Sequence, residues 1–235
     1  MKYTVKEYEV LSSTNDEMKV AALEGAKEGY VITALSQTAG RGRKGRSFLS
    51  PEGGLYLSLL LRPESTDHLT AAAAVAVCRA IHRLTGAEPS IKWPNDVYLN
   101  NMKISGILTE AKFTNDRYPE YVIVGVGVNI RRVEFSEDLS SKAASLEDCG
   151  YFADRKELID SFLSEFDLIY SGGKDWLAEY RKRSLISGRK ITVISPNETY
   201  TAVAGDIDED AHLTVVRPNG RKTVLISGEV SILPE

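Results

Sequence analysis

The sequence predicts an α/β (α+β) domain over residues 1–186 and a small β-barrel over residues 187–235. Strand-like and helix-like patterns alternate in the first region, whereas short alternating strands follow one another past Ser187. Turns are predicted at Pro196-Asn197 and Asn219-Gly220. A length of 235 residues with 43% hydrophobic content allows one large core with a small appendage.

Composition limits the function classes. The formal net charge is −4 and the pI is about 5.6, so a broad nucleic-acid footprint is not expected. Cys78 and Cys149 lie far apart without a C-x-x-C pattern, which favours core packing over a disulfide or metal site. The sequence shows no signal peptide and no apolar run of membrane-spanning length. We therefore expect a cytoplasmic protein that does not bind membranes.

The N-terminal segment predicts an edge strand and a helix. Tyr3 to Val10 has the strand pattern, and an oxygen-rich helix start follows at Ser13. Thr14 and Glu17 have capping-box spacing, which indicates a helix N-cap. A helix N-terminus with spare hydroxyl and amide groups also suits a polar ligand head, and both interpretations remain open.

Two apolar strands and a packed helix come next. Gly29 to Leu35 and Leu55 to Leu61 are predicted strands that flank a long loop, and Gly53-Gly54 turns the chain into the second. Thr70 to Leu84 is an Ala-rich helix pattern with Gly86 beyond its end, typical of a glycine stop.

The loop from Gln37 to Pro51 is the strongest candidate for a functional segment. Its glycines alternate with cations: Gly40, Arg41, Gly42, Arg43, Lys44, Gly45 and Arg46. We expect it to stay loose until an anion arrives, because backbone entropy and charge repulsion oppose order. Arg side chains and free N–H groups recruit phosphates and carboxylates, so a ligand lid is favoured over a solvated loop. A dinucleotide-binding turn is rejected, because no helix follows Gly45.

The Ile91 to Asp96 stretch predicts a bend at a strand end. Pro94 prevents a ladder hydrogen bond there, so Asn95 and Asp96 should appear at a sheet edge. A hairpin of Val97 to Leu99 with Lys103 to Glu110 should follow, across a three-residue connection.

Side-chain alternation then assigns the faces of two strands. In the first, Lys103, Ser105 and Ile107 should share one face, opposite Ile104 and Gly106. In Tyr121 to Ile130, valines share one face, and Gly125, Gly127 and Asn129 share the opposite one. Glycines at alternate positions indicate close approach by a backbone, a helix or a ligand, and we favour a ligand over helix packing.

The remaining elements are two amphipathic helices and the C-terminal strands. Asp154 to Tyr170 starts with capping spacing, and Trp176 to Leu185 is shorter. The predicted strands past Ser187 are Lys190 to Ser195, Tyr200 to Asp206, His212 to Arg217 and Lys222 to Ile226.

Taken together, these motifs resemble biotin protein ligases. The co-linear segments are Ser13-Thr14-Asn15, Gln37, G-R-G-R-K-G-R (40–46), K-W-P-N-D (92–96), K-I-S-G (103–106), G-V-G-V-N (125–129) and G-E-V-S (228–231). The resemblance implies a mixed-sheet, class II synthetase-like catalytic domain with an SH3-like C-terminal β-barrel. It also implies biotin activation by ATP as biotinyl-5′-AMP, followed by transfer to a lysine of a biotin carboxyl carrier protein.

The resemblance assigns roles residue by residue. Lys103 and Arg43 would neutralise the reacting carboxylate and α-phosphate, and Asp96 would orient the acceptor amine, help place Mg²⁺, or merely form the turn after Pro94. Biotin contacts would be Ser13, Thr14, Asn15, Gln37, Gly40, Arg41, Gly42, Arg43, Lys103 and Gly106. ATP contacts would be Arg43, Arg46, Phe48, Asn95, Lys103 and Asn129. Mg²⁺ would arrive with ATP, without a dedicated protein site.

Two departures and two alternatives qualify the resemblance. Phe48 stands where the family more often has tryptophan, so a weaker adenine platform is expected. Only about ten residues precede Ser13, which resembles the short, monofunctional class and predicts no DNA binding.

A lipoate ligase has similar chemistry but a different loop, and an anion- or RNA-binding module leaves Lys103 and Asn129 without a role. Family members commonly dimerise by sheet edges, which leaves a homodimer open.

Overall fold

The computed structural model describes residues 1–115, 118–133, 142–173, 175–195 and 198–233. The strands of the first sheet are β1 (Thr4–Leu11), β2 (Tyr30–Gln37), β3 (Gly54–Leu61), β4 (Ser90–Lys92), β5 (Asp96–Leu99), β6 (Met102–Asn115) and β7 (Tyr118–Asn129). Their spatial order is β1-β2-β3-β7-β6-β5-β4. Strands β1 and β2 pair in parallel and the other neighbours are antiparallel. The sheet is therefore mixed, as predicted.

The second sheet is small and antiparallel. Its strands are β8 (Lys190–Ile194), β9 (Thr199–Ile207), β10 (Leu213–Val216), β11 (Lys222–Leu225) and β12 (Glu229–Ile232). They lie in the order β11-β10-β9-β8-β12. Strand β12, which the sequence did not predict, pairs with β8 and forms one edge of the sheet. The predicted turn at Asn219-Gly220 joins β10 to β11. The predicted Pro196-Asn197 turn lies outside the described residues.

Helices cover both faces of the first sheet. They are α1 (Thr14–Leu23), α2 (Leu69–Thr85), α3 (Arg155–Ser171) and α4 (Trp176–Lys182). The main core joins α2 and α3 to residues such as Leu57 and Leu59 of β3, while Met18 of α1 packs with Leu60 on the opposite face. Alternation along β3 thus separates two apolar clusters. None of the helices in the described ranges is long and apolar enough to cross a membrane.

Helix caps agree with the sequence at two of three predicted ends. The carboxylate of Asp154 accepts hydrogen bonds from two backbone N–H groups at the start of α3, and Gly86 ends α2 with φ of 74°. The predicted capping box at Thr14 and Glu17 is wrong. Ser13 is the N-cap residue and makes no side-chain cap bond, and Thr14 is the first helical residue. Glu17 Oε1 accepts a hydrogen bond from the Tyr8 hydroxyl instead of reaching back to the cap.

The β5–β6 hairpin differs from its prediction in two ways. Its turn has two residues, Asn100 and Asn101, with φ of 51° and 63°, rather than three. A β-bulge follows, because Tyr98 pairs with Lys103 and Val97 with Ser105, which leaves one extra residue in β6. The predicted face of Lys103 is therefore wrong.

The packing of α3 gives a stability prediction. Phe166 is fully buried, with ring centroids 5.8 Å from Phe162 and 5.7 Å from Tyr170. We expect Phe166→Ala to lower the free energy of unfolding by about 3–5 kcal/mol, because it opens a cavity in the core. Urea unfolding followed by circular dichroism measures this loss. Leu168→Ala is the control on the same helix, since Leu168 is 61% exposed and should change stability by less than about 0.5 kcal/mol.

Candidate active site

A cavity of about 160 Å³ opens on the α1 face of the first sheet. It is lined by residues 13–15, 37, 41–44, 46–48, 92–96, 103, 106–108, 125–127 and 228–230. The structure therefore brings together distant motifs of the sequence. The predicted site residues among these are Ser13, Thr14, Asn15, Gln37, Arg41, Gly42, Arg43, Arg46, Phe48, Asn95, Asp96, Lys103 and Gly106. Two other predicted contacts, Gly40 and Asn129, do not line this cavity.

The floor of the cavity is the glycine face of β6 and β7. Gly106 pairs with Gly127 across the two strands, and the Phe48 ring lies on both. A Cβ added at Gly127 would lie 2.6 Å from Phe48 Cε1, and one at Gly106 would lie 3.3 Å from Cε2. At Gly125 an added Cβ would lie 2.3 Å from Asn15 Oδ1. Close approach at these glycines is confirmed, and Asn15 of α1 and Phe48 of the loop make it. Approach by a ligand, which we favoured, stays a prediction.

The first turn of α1 forms a hydrogen-bonded network at one end of the cavity. Both the backbone N–H and the hydroxyl of Thr14 donate to Gln37 Oε1, at 2.8 and 3.1 Å. Gln37 Nε2 donates to Ser50 Oγ at 2.8 Å, and Ser58 Oγ lies 2.8 Å from Thr14 Oγ1 and 2.6 Å from Asn15 Oδ1. Thr14, Asn15 and Ser58 are buried, so these bonds fix their orientation. Ser58 was missed because it lies in an apolar strand.

The loop between β2 and β3 folds as an irregular hairpin over the cavity. Gln37 pairs with Ser50, and Arg41 with Ser47, as isolated bridges. Gly40 lies where the two sides meet, since an added Cβ would be 2.4 Å from Phe48 O and from Ser50 Oγ. Gly40 is thus required for packing within the loop, which explains why it does not line the cavity.

The arginines of the loop each contact an acidic or amide side chain. Arg41 lies 2.6 Å from Asp16 Oδ1, and Arg46 lies 2.6 Å from Glu229 Oε1 in the second sheet. Arg43 donates to Asn95 Oδ1 at 3.0 Å. Burial lowers the pKa of the Arg43 guanidinium, and nearby carboxylates oppose that shift. That an anion orders this loop stays a prediction.

The opposite wall carries Lys103 and the turn between β4 and β5. Because of the bulge, Lys103 lies on the cavity face, where its Nζ is 2.7 Å from Asp96 Oδ1 and 6.0 Å from the Phe48 ring centroid. Lys92 lines the same wall, and burial lowers the pKa of its ammonium group. The charge of Lys103 lowers this pKa further, whereas the carboxylate of Asp96 acts against the shift. Asn95 Nδ2 donates to the backbone oxygen of Ile107, which fixes the turn on β6.

Several lining residues were missed or given no role from the sequence. Lys92 and Trp93 belong to the K-W-P-N-D segment, but only its last two residues were assigned contacts. Glu229 belongs to the terminal G-E-V-S motif, whose position opposite Arg46 no local pattern could predict. Asn129 ends β7 away from the cavity, where its Nδ2 donates to the backbone oxygen of Ala144 at 3.1 Å.

The chain resembles known proteins over most of its length. The profile of the Biotin/lipoate A/B protein ligase family matches residues 7–129. The bifunctional ligase/repressor BirA of Bacillus subtilis is 34% identical over 233 residues, with 92% of this chain and 70% of that protein covered. A biotin--[acetyl-CoA-carboxylase] ligase of Mycobacterium tuberculosis is 32% identical over 234 residues, with 93% and 85% covered.

A solved structure supports the same relationship. The biotin protein ligase of Aquifex aeolicus in complex with biotin and ATP has a TM-score of 0.83 and 28% sequence identity, with 99% of each chain covered. The family match, the relatives and this fold agree along the chain, so the protein belongs to the Biotin/lipoate A/B protein ligase family.

Proposed function

We propose that this protein is a biotin protein ligase that activates biotin with ATP and transfers it to a carrier-protein lysine. Relatives named as biotin ligases and a similar structure holding biotin and ATP support this assignment. The observation that carries it is a single cavity with a hydroxyl-rich end at Thr14 and a cationic wall at Lys103 and Arg43. Lys103 contacts Asp96 and Arg43 contacts Asn95, so these cations converge on one turn.

In the first step, a carboxylate oxygen of biotin attacks the α-phosphorus of ATP. The bond to pyrophosphate breaks, and biotinyl-5′-AMP forms. Two anions must meet, and Lys103 and Arg43 would neutralise them in a site partly withdrawn from water. A magnesium ion bound to the phosphates would supply further positive charge. Such an ion would enter with the ATP phosphates.

The other predicted contacts divide between the two ends of the cavity. The biotin head would lie at Ser13, Thr14, Asn15 and Gln37, and the nucleotide would contact Phe48, Asn95 and Arg46. Arg46 now contacts Glu229, so ATP phosphates would compete with a carboxylate for this guanidinium. Asn129 would contact the nucleotide only if the end of β7 changed its conformation, since its side chain donates a hydrogen bond to the backbone oxygen of Ala144.

In the second step, the amine of an acceptor lysine attacks the acyl carbon, AMP departs with the bonding electrons, and the amine loses a proton. The lysine must enter while the loop covers the adenylate. A second cavity of about 380 Å³ adjoins the first and shares six lining residues with it: Arg43, Lys44, Trp93, Pro94, Ile107 and Leu108. The acceptor lysine belongs to a biotin carboxyl carrier protein, and we propose that it enters the active site from the side of this second cavity.

The finer structural assignments rest on the resemblance and on the two sheets. We place a class II synthetase-like catalytic domain at residues 1–186 and an SH3-like domain at residues 187–235, because strands of the second sheet begin at Lys190. Because the proposed reaction uses ATP and a carrier protein, we propose that the enzyme is cytoplasmic. A homodimer would form at a free sheet edge such as β1, and we assign no role in DNA binding.

Lys103→Ala tests the catalytic assignment. We expect at least a 100-fold loss of pyrophosphate release with biotin and ATP, because a cation at the developing charge is removed. Thermal unfolding should be unchanged, since Lys103 is partly exposed. Lys112→Ala, on the same strand but outside the cavity, is the control. Normal turnover of Lys103→Ala would make the lysine a surface charge, and lipoyl-AMP without biotinyl-AMP would refute the assigned substrate.

Arg43→Gly tests the loop as a lid. We expect faster release of biotinyl-5′-AMP with a smaller effect on its formation, because glycine removes a charge and adds backbone freedom. Limited trypsin cleavage within the loop should be suppressed by biotin plus ATP in the parent and less in the variant. Arg43→Ala separates lost charge from added freedom. Equal protection in parent and Arg43→Gly, with unchanged adenylate release, would rule out a lid.

Gly127→Ala tests the position of Phe48. The new methyl group would lie 2.6 Å from the ring, so the ring must move off the strand. We expect the KM for ATP to rise about tenfold, which is the loss of one base-stacking contact. The Kd for biotin should stay within about twofold. Gly173→Ala is the control, since nothing lies within 4 Å of an added Cβ there. An unchanged KM for ATP would exclude Phe48 from the nucleotide site.

A further inference from the structure

Glu110 lies behind the cavity and contacts it through Asn15. It belongs to β6, its side chain is 24% exposed, and it is not among the lining residues. Its Oε2 accepts a hydrogen bond from Asn15 Nδ2 at 2.8 Å. Its Oε1 lies 2.8 Å from Lys19 Nζ and 3.7 Å from Arg41. The two carboxylate oxygens thus have different partners.

The contacts around Asn15 determine which way its amide points. One end of the amide lies 2.8 Å from a Glu110 oxygen and 3.4 Å from the backbone oxygen of Leu108. A carboxylate paired with a lysine and a backbone carbonyl both accept, so the NH₂ group must face them. The amide oxygen then faces Ser58 Oγ at 2.6 Å, and Ser58 must donate to it.

This orientation consumes the hydroxyl hydrogens of the network. Ser58 has one hydrogen, which goes to Asn15. The single hydroxyl hydrogen of Thr14 is directed to Gln37 Oε1 at 3.1 Å or to Ser58 Oγ at 2.8 Å, so it also stays within the protein. Thr14 therefore presents lone pairs to the cavity. The Thr14 hydroxyl oxygen can therefore accept a hydrogen bond from a ligand at this end of the cavity.

We propose that Glu110 is a positioning residue that keeps Thr14, at the α1 end of the cavity, an acceptor of hydrogen bonds and so favours a ligand head with N–H donors. The cyclic urea of biotin has such donors, whereas the dithiolane ring of lipoate has none. The inference rests on the proposed function and deepens it, because it assigns selectivity to a carboxylate outside the cavity.

Binding of biotin and of ATP to Glu110 variants tests this role. We expect Glu110→Ala to raise the Kd for biotin at least tenfold, because the Asn15 amide is free to rotate. The Kd for desthiobiotin, which keeps the cyclic urea without the sulfur ring, should rise by the same factor. The Kd for ATP should stay within about twofold. Calorimetry on the full chain measures all three values, and Glu110→Leu is a second variant of larger volume.

Two further variants separate orientation from charge. Glu110→Gln keeps a carbonyl oxygen that can accept from Asn15, and we expect it to restore biotin binding to within about threefold of the parent. Glu120→Ala removes a carboxylate of β7 that is paired with Lys112, at 3.1 Å, and should leave biotin binding unchanged.

Three results would overturn the inference. They are an unchanged Kd for biotin in Glu110→Ala and Glu110→Leu, an equal loss for biotin and ATP, or a Glu110→Gln variant as weak as Glu110→Ala. The last result would assign the effect to charge rather than to the amide orientation. A parent protein that binds no biotin would instead refute the proposed function, so the two failures are distinguishable.

Discussion

The candidate site depends on a patch of glycines on one face of the central sheet, where β6 and β7 carry no side chains. Successive residues of a strand point to opposite faces, so β7 can bury Val124, Val126 and Val128 in the main core while its other face carries glycines. At Gly125 and Gly127 the space of a missing Cβ is taken by Asn15 and Phe48. The strand that contributes to the core therefore also gives the cavity its depth.

Charge pairing explains how a basic loop lies over the cavity of an acidic protein. Arg41 contacts Asp16, Arg46 contacts Glu229, and Lys103 contacts Asp96. The loop pairs are at least partly exposed, and such pairs contribute little net stability in water. A triphosphate carries more charge than a single carboxylate and would replace one such partner at small cost. The arginines of the loop can thus exchange these carboxylates for the phosphates of a nucleotide.

The sequence predicts local patterns well and contacts between distant segments poorly. Alternation and glycine stops locate the strands and the helices, since each depends on neighbouring residues. The Glu229–Arg46 pair joins residues 183 positions apart, and no periodicity encodes it. The predicted N-cap lies one residue late, at Thr14, whose backbone N–H and hydroxyl both donate to Gln37 of β2. Sequence motifs can therefore predict which residues form one site, but they do not predict which of those residues contact each other.

The β6 bulge is the clearest case in which one local irregularity decides the chemistry. Regular alternation would place Lys103 with Ser105 and Ile107, both of which are buried. One extra residue keeps Ile104 in the core and lets Lys103 lie on the same face as Gly106, where an added Cβ would be 3.4 Å from Lys103 Nζ. The alternative, a lysine in the core, would bury a charge at a cost of several kcal/mol. A bulge disrupts only the local strand pairing, so it destabilises the fold less than a buried lysine would. It brings the Lys103 cation from a core strand to Asp96.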